Sequence, residues 1–419
     1  MHKKTPHAKA SWTDWVLIFL TFIFAFIGPG VLFIRIWRAG GFNFTLTEDE
    51  ITRFIIGFMG MAFCLILMAI KNRKSKGVVS PPEIGGSTMN IAIIGAGAVA
   101  KTFLELLESP DSINVSHIKV KYVFNSSGGV FEKDGIKPFE NLSAHESFTP
   151  GLGIKDIDLN EIDLVVDLKS TDMQNAEADF ETCAWVLGNA KHLVNGNKGP
   201  VVYGYKKLKA IADSNGVQFL CGCAAAAALP SVIVGKDAHS GSKIHAFEGI
   251  VNGTTNYILS KMEEGIPYDA ALKLAQDAGI AEKNPAYDVE GIDTAIKTVM
   301  LANIIWDMEI PLENAQVIGI DKLTLDDIKK AVESGMKFKL IGTAILNANG
   351  EPEIKIAPTA IPEGHLLYAT DQKFKAIVFK SSNMGDVLIS GSSSLKGAAA
   401  AVLRDVVNIY MGNRNSQQT

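Results

Sequence analysis

The chain has few cysteines and little net charge, and both shortages exclude classes of protein. Its 419 residues include four cysteines, Cys64, Cys183, Cys221 and Cys223, which stand among apolar or small residues. This usage excludes a disulfide framework and favours a reducing compartment. Cys221 and Cys223 have no second cysteine or histidine pair nearby, so no metal site is predicted. The formal net charge is −5 without a long basic stripe, and nucleic acid is not an expected partner.

Long apolar runs are abundant, and they are concentrated at the beginning of the chain. Residues 15–34 and 51–70 each carry about twenty nearly uncharged positions, enough to cross a bilayer. Lysines and arginines precede the first run and follow the second, which predicts cytoplasmic ends. We therefore expect a two-helix membrane anchor over residues 1–76 and a linker over 77–88. The part of the chain after the linker is expected to face the cytoplasm.

A strand, turn and helix pattern opens the remainder of the chain. Residues 90–94 are apolar and turn through a Gly-Ala-Gly-Ala-Val-Ala segment into a predicted helix over 101–108. This is the G-x-G-x-x-A form of the dinucleotide fingerprint, in which glycines let the backbone approach a pyrophosphate at a helix N-terminus. We predict a Rossmann-type domain in which the turn binds NAD or NADP through Gly95, Gly97, Ala98 and Val99.

The end of the second predicted strand bears on which cofactor is used. Residues 119–124 form this strand, and Asn125 follows where an acidic residue would bind the ribose 2′-hydroxyl of NAD. The missing acid leaves room for a 2′-phosphate, but no arginine stands nearby to bind one. The choice between NAD and NADP stays open, with a slight preference for NADP.

Polar residues follow two further predicted strands. The apolar segment 164–168 leads to Ser170 and Thr171, and the segment beginning at His192 leads to Asn197 and Lys198. Ligands bind at the carboxyl edge of a parallel sheet. We therefore add Ser170, Thr171 and Asn197 to the predicted cofactor-binding residues.

The stretch from residue 249 to 297 contains the richest polar pattern. It opens with GIVNGTTNYILSKM and closes with GIAEKNPAYDVEGIDTAIK. The first motif predicts a strand over 247–251, a polar turn and then a helix. In the second, Asp293 and Lys297 are four residues apart on one helix face, where they could share a proton-transfer network. The alternative is an ordinary solvated helix pair.

Both motifs resemble the substrate domain of homoserine dehydrogenase, which oxidises homoserine to aspartate 4-semialdehyde with NAD(P). The segment NSSGGVFEKDGI is also similar to this family, and the resemblance extends over residues 89–410. It implies a homodimer and the following roles, taken over position by position. Lys198, Asp293 and Lys297 would be catalytic, and Glu282, Asp288 and Thr254 would bind the substrate. The implied domains are a Rossmann domain (89–220), an α+β substrate and dimerisation domain (221–390) and a returning C-terminal helix (391–419).

Two segments depart from the family pattern. Residues 222–230 read GCAAAAALP where the family carries Glu-Ala-x-Val-Gly-Gly/Ala-Gly-Leu/Ile-Pro, so Gly222 replaces a glutamate that resembles part of a monovalent-cation site. Three serines at 392–394 replace a Gly-Ala-Gly-like turn. These changes leave two alternatives open. One is a membrane-tethered dinucleotide-binding or scaffold protein with reduced catalysis, and the other is a related dehydrogenase for another small amino or hydroxy acid.

Overall fold

The computed structural model describes residues 88–392 and 394–417. The predicted membrane spans, 15–34 and 51–70, and nearly all of the predicted linker lie outside the described residues. Within the described ranges, no helix combines the length and the apolar character that crossing a membrane requires.

The first sheet has seven strands and contains the predicted dinucleotide motif. Its elements in chain order are β1 (Met89–Ile94), α1 (Ala98–Glu108), β2 (Ile118–Asn125), β3 (Gly128–Phe131), β4 (Phe148–Pro150), β5 (Leu164–Asp167), α2 (Ala176–Gly188), β6 (His192–Asn195), α3 (Lys198–Ser214) and β7 (Phe219–Leu220). The strand order is β4-β3-β2-β1-β5-β6-β7, and β2, β1, β5, β6 and β7 run parallel. Every residue of β5 is buried, as expected for a parallel strand covered by helices on both faces. The predicted strands are confirmed, with ends shifted by about one residue.

The second sheet has six strands and is mixed. The elements that lead into it and form it are α4 (Gly222–Ala226), α5 (Ser231–Lys236), β8 (Ile244–Ile250), α6 (Gly253–Glu263), α7 (Tyr268–Asp277), α8 (Ala286–Val289), α9 (Ile292–Trp306), β9 (Gln316–Val317), α10 (Leu325–Glu333), β10 (Met336–Leu346), β11 (Pro352–Pro362), β12 (Phe374–Ser381) and β13 (Gly385–Ser392). The strand order is β13-β12-β8-β10-β11-β9. All neighbours are antiparallel except β11 and β9.

Helix α6 begins earlier than the polar turn predicts. The sequence indicates a turn through residue 256, but the helix starts at Gly253 because the Asn252 side chain accepts a hydrogen bond from the Thr255 N–H at 2.9 Å. Asparagine is among the preferred N-cap residues. Threonines 254 and 255 therefore lie in the first helical turn.

Two helices connect the parts of the fold. Helix α9 is almost entirely buried and packs against α3 on one side and against β10 on the other. The last helix, α11 (Leu395–Gln417), packs on α1, and its Tyr410 ring stacks on His117, just before β2, with centroids 5.7 Å apart. The dinucleotide motif, the second sheet and the chain end therefore share one packed unit.

Strands β10 and β11 form a long hairpin within one chain. Met336 lies opposite Pro362 and Leu346 opposite Pro352, so each strand is paired along its whole length.

Candidate active site

The first functional side chains lie where α3 begins. Asn197 is the N-cap: its Oδ1 accepts from the Gly199 N–H at 3.1 Å, and its Nδ2 donates to Asp179 Oδ2 at 2.5 Å. The Lys198 N–H donates to Thr171 Oγ1 at 3.1 Å. Thr171 and Asn197, both predicted to bind the cofactor, thus also fix the backbone from which Lys198 projects.

Asp293 is the centre of a buried ion-pair cluster. Its Oδ1 lies 3.4 Å from Lys198 Nζ, and its Oδ2 lies 2.5 Å from Lys297 Nζ. Asn252 Nδ2 also donates to Oδ2, at 2.9 Å, and Lys297 Nζ donates to the Val251 carbonyl at 3.1 Å. The Asp293 side chain is only 9% exposed, so the Asp293–Lys297 pair differs from an ordinary solvated helix pair.

Electrostatics at this cluster act in opposite directions on the acid and the base. Burial alone would raise the pKa of Asp293, but the ammonium groups of Lys297 and Lys198 outweigh burial and hold it well below its usual range. Burial lowers the pKa of Lys198, and Asp293 only partly offsets that effect. A carboxylate that stays ionised beside a lysine of lowered pKa is suited to proton transfer.

The three predicted substrate-binding residues are placed differently. Asp288 joins the cluster, because its Oδ1 accepts from Asn252 Nδ2 at 2.6 Å. Thr254 lies in the first turn of α6, and its hydroxyl donates to the Ile280 carbonyl at 3.0 Å. Glu282 is exposed in the loop before α8, where Gln276 binds its backbone carbonyl at 3.1 Å. The structure therefore does not bring the Glu282 carboxylate into hydrogen-bonding contact with the cluster.

Two residues of the site are absent from the sequence prediction. Asn252 connects Asp288 with Asp293, although the sequence marks it only as part of a turn. Lys375, on β12, is 6% exposed, and burial followed by the charge of Lys297 lowers its pKa to about 7. A usable signal was present in the sequence. Lys375 is in phase with the buried Ile377 and with residue 379, so period two places it on an inward face.

A cleft of about 310 Å³ lies at the carboxyl edge of the first sheet. Its lining residues are Gly95, Ala96, Gly97, Lys101, Asn125, Ser126, Glu140, Asn141, Leu142, Leu168, Lys169 and Ser170. Gly95 has a φ of +102°, and a Cβ there would lie 2.6 Å from the Leu168 carbonyl carbon. Nothing lies within 4 Å of a Cβ placed at Gly97, the N-cap of α1. The cradle therefore fits a pyrophosphate beside a helix N-terminus.

The predicted cofactor residues lie in or next to this cleft. Gly95, Gly97, Asn125 and Ser170 line it, and Ala98 and Val99 begin α1 at its edge. The Asn125 side chain closes its own turn, since Oδ1 accepts from the N–H groups of Ser127 at 2.9 Å and Gly128 at 3.0 Å. Lys101 and Lys169 both line the cleft; the Lys101 amine donates to the Glu140 carbonyl, and Lys169 forms an ion pair with Asp179.

The segment that departs from the family pattern lies against α11. A Cβ at Gly222 would lie 2.9 Å from Arg404 Nη2 and 3.1 Å from Asp405 Oδ2. Asp405 is buried, pairs with Arg404 at 2.9 Å and accepts from the Cys223 N–H at 3.2 Å. The space beside Gly222 is thus filled by an ion pair from the last helix. Ala227, at the end of α4, has a φ of +56° and a ψ of −114°, a conformation that favours glycine.

The cleft and the cluster adjoin each other. Ser170 lines the cleft, and the next residue, Thr171, binds the backbone of Lys198. A doubly wound sheet with a glycine cradle, a buried lysine of lowered pKa and an ionised carboxylate together define a nicotinamide-dependent dehydrogenase.

Comparison with known proteins specifies the family. A family model described as homoserine dehydrogenase matches residues 230–407. The NAD(+)-dependent homoserine dehydrogenase of Pseudomonas canavaninivorans is 35% identical over 257 residues, covering 61% of this chain and 73% of that protein. The homoserine dehydrogenase of Methanocaldococcus jannaschii is 31% identical over 341 residues, covering 77% of this chain and 98% of that protein. The crystal structure of a homoserine dehydrogenase from Thiobacillus denitrificans superposes with a TM-score of 0.65 at 29% identity, covering 77% of this chain and 73% of that one.

The chain belongs to the homoserine dehydrogenase family, whose members are NAD(P)-dependent oxidoreductases of amino-acid biosynthesis. The resemblance stated from the two sequence motifs is confirmed.

Proposed function

We propose that this chain interconverts L-homoserine and L-aspartate 4-semialdehyde at the cluster formed by Lys198, Asp293 and Lys297. The observation that carries the proposal is the placement of one buried, ionised carboxylate between two lysines beside the dinucleotide cleft. A solvated structural pair would need neither the burial nor the second lysine.

Proton transfer is assigned to Lys198. Its lowered pKa lets the neutral amine accept the substrate hydroxyl proton during oxidation and return it during reduction. Asp293 holds this amine in place, and Lys297, bound to both Asp293 and the Val251 carbonyl, neutralises the carboxylate. The nicotinamide, when bound, accepts or supplies the hydride.

The substrate ammonium is assigned to the carboxylate side of the cluster. Asp288 accepts one hydrogen bond from Asn252, and no lysine among the described residues forms an ion pair with it. Its free oxygen is available to an ammonium group. Glu282 would reach the same group from its exposed loop, and Thr254 would contribute from the first turn of α6.

A slight preference for NADP follows from the adenosine end of the cleft. A ribose 2′-phosphate is repelled by a carboxylate and attracted by a cation. Asn125 ends β2 without a carboxylate, and the Lys101 amine lies in the cleft. Gly95, Gly97, Ala98 and Val99 would hold the pyrophosphate.

The test uses the full-length protein and the absorbance of reduced nicotinamide, with L-homoserine and with NAD and NADP in parallel. We expect turnover that Lys297→Ala abolishes. Lys273→Ala is the matched control, because Lys273 and Asp277 form an exposed i,i+4 pair at 2.6 Å on α7. Cofactor binding without turnover would favour a tethered binding protein, and equal activity in both variants would contradict the residue roles.

We further propose that residues 15–34 and 51–70 anchor the enzyme in a membrane, with the catalytic part facing the cytoplasm. The support is the length of the two apolar runs and the basic residues that flank them. Recovery of the full-length protein in the soluble fraction after cell disruption would contradict this proposal.

The domain division proposed from the sequence is 89–220, 221–390 and 391–419, and we propose a homodimer formed through the second sheet. Apolar side chains are exposed near β9, with Val317 at 39% and Ile318 at 55%. Exposed apolar groups at one place favour a protein contact. Light scattering on the detergent-solubilised protein, with detergent mass subtracted, tests this, and a monomer at micromolar concentration would contradict it.

A further inference from the structure

Lys375 lies next to the catalytic cluster although it is far from it in sequence. In the antiparallel pairing of β8 and β12, Ile250 lies opposite Ala376. The next residues along the two strands are Val251 and Lys375, which therefore lie side by side where the pairing ends. Lys297 donates to the Val251 carbonyl, so the backbone beside Lys375 is part of the cluster.

The start of β12 is fixed against α6. Asn256 Nδ2 donates to the carbonyls of Thr370 and Phe374, both at 3.1 Å. Asn256 is fully buried, and it lies one turn beyond Asn252, which binds Asp288 and Asp293. This arrangement holds the backbone on which Lys375 stands in a defined position relative to the two carboxylates.

The Lys375 side chain is buried, and its amine has no hydrogen-bond or ion-pair partner among the described residues. The residue is 6% exposed. Lys339, the other deeply buried lysine of this sheet, is paired with carboxylates, as buried lysines usually are. Its Nζ lies 2.8 Å from Asp371 and 3.4 Å from Glu263. A buried ammonium without such carboxylates is unfavourable, which is consistent with a pKa lowered to about 7.

The charges around Lys375 lack one anion. Its amine interacts electrostatically with Lys297, Asp293, Lys198 and Asp288. Three amines thus face two carboxylates, and Asp293 is already shared by two of those amines. Among the described residues, the site therefore contains one amine that forms no ion pair, Lys375, and one carboxylate that forms none, Asp288. A zwitterionic amino acid complements both.

We propose that Lys375 binds the α-carboxylate of the amino-acid substrate and is a specificity-determining residue of this enzyme. The proposal rests on the proposed function, because that function supplies a substrate with an ammonium and a carboxylate on one carbon. With Asp288 on the ammonium and Lys375 on the carboxylate, the hydroxyl end of the chain is left for Lys198.

Two ligands separate the carboxylate from the rest of the substrate. L-2-aminobutanoate keeps the carboxylate and ammonium but lacks the hydroxyl, and 3-aminopropan-1-ol keeps the hydroxyl and amine but lacks the carboxylate. Their dissociation constants are measured by calorimetry on full-length Lys375→Met, Lys375→Arg and wild type in the presence of cofactor. Lys373→Met is the matched control, since it removes an exposed lysine two residues earlier.

In Lys375→Met the dissociation constant of L-2-aminobutanoate is expected to rise roughly 10- to 100-fold, the range for a lost hydrogen bond to a charged group. That of 3-aminopropan-1-ol is expected to change by less than about twofold, and Lys375→Arg should restore part of the lost affinity. KM for L-homoserine should rise with kcat changed by less than about threefold.

Equal weakening of both ligands in Lys375→Met would overturn the proposal, because it would show a general effect on the charge of the site. Unchanged binding of L-2-aminobutanoate would overturn it as well. Absence of L-homoserine turnover in the wild type would contradict the proposed function instead, and the binding of L-2-aminobutanoate would still decide the role of Lys375.

Discussion

Lys198 and Asp293 form an ion pair that joins the two sheets of the enzyme, with Nζ 3.4 Å from Oδ1. Lys198 begins α3 at the carboxyl edge of the first sheet, and Asp293 lies in the first turn of α9, which packs on the second. The pair therefore places Lys198, the proposed proton acceptor, next to the cofactor cleft. Positioning of this kind contributes to catalysis by fixing the reacting groups relative to one another.

Replacement of Lys198 tests its role as proton acceptor. In Lys198→Met, kcat for oxidation of L-homoserine is expected to fall roughly 10²- to 10⁴-fold, the usual contribution of a positioned acid or base. Cofactor affinity, measured by nicotinamide fluorescence, should stay nearly unchanged. Lys207→Met, at an exposed position of the same helix, is the control. A comparable loss in both variants would refute the assignment.

The pH dependence of oxidation should report the pKa of Lys198. Only the neutral amine accepts a proton, so kcat/KM is expected to rise with pH through a pKa below the ordinary lysine value. Because the charge of Asp293 raises that pKa, Asp293→Asn should move the rising limb to lower pH. Asp277→Asn, in the exposed pair on α7, should not move it. A limb that stays in place in Asp293→Asn would contradict the coupling.

Substitution of Asn252 separates its two hydrogen-bonding roles. Aspartate at this position can still cap α6 by accepting from the Thr255 N–H, but it cannot donate to Asp288 and Asp293. The variant would leave Asp288 and Asp293 without the amide that donates to them and would place a third carboxylate beside them. These losses should destabilise the arrangement of the site by about 1–3 kcal/mol or more. Asn252→Asp should therefore lower kcat/KM at least about tenfold. Retained circular dichroism with normal activity would show that the cap is the only role of the side chain.

Stability measurements should detect the buried amine of Lys375. Its pKa is about 7 in the folded protein and near the ordinary lysine value when unfolded, so the unfolded state binds more protons between these values. Loss of the proton from Lys375 should therefore make the free energy of unfolding of the wild type rise with pH between these two pKa values. Lys375→Met should increase Tm most at or below pH about 7, with a gain that shrinks toward pH about 10. A gain independent of pH, or the same gain in Lys373→Met, would contradict this account.

Substitution by glycine should have opposite effects on stability at two neighbouring positions, the strained Ala227 after α4 and Ala225 within it. Ala227 has a φ of +56°, and relief of this strain in Ala227→Gly should stabilise the protein by about 1 kcal/mol. Ala225 lies inside the same helix, where glycine should destabilise by about 0.5–1 kcal/mol. Thermal unfolding of both variants checks the pair, and destabilisation in each would show that packing outweighs backbone strain.

Local patterns explain which features the sequence could predict. Gly95 was predictable because a positive φ and a close backbone approach leave glycine almost alone as a candidate at this position. Asp293 and Lys297 were placed on one helix face by their spacing, and the structure joins them at 2.5 Å. The catalytic and substrate-binding roles taken over from the family stay predictions, including that of the exposed Glu282.

The residues that sequence reasoning missed are those whose partners are remote. Asn252 was visible as a turn residue, but its bonds to Asp288 and Asp293 depend on the packing of α6 against α8 and on the position of the first turn of α9. Asp405 comes from the last helix to fill the space beside Gly222. Neither contact has a periodic or spacing signal in the chain.

The sequence by itself determined the family, the parallel sheet with its dinucleotide turn and the helix face shared by Asp293 and Lys297. These properties depend on neighbours within a few residues, where backbone geometry sets the distances. Only the tertiary structure decided that Lys198 reaches Asp293, that burial lowers the pKa of Lys198, and that Lys375 stands beside them. The reason is that solvent exclusion and charge proximity arise when segments remote in the chain pack together, and no local pattern encodes either.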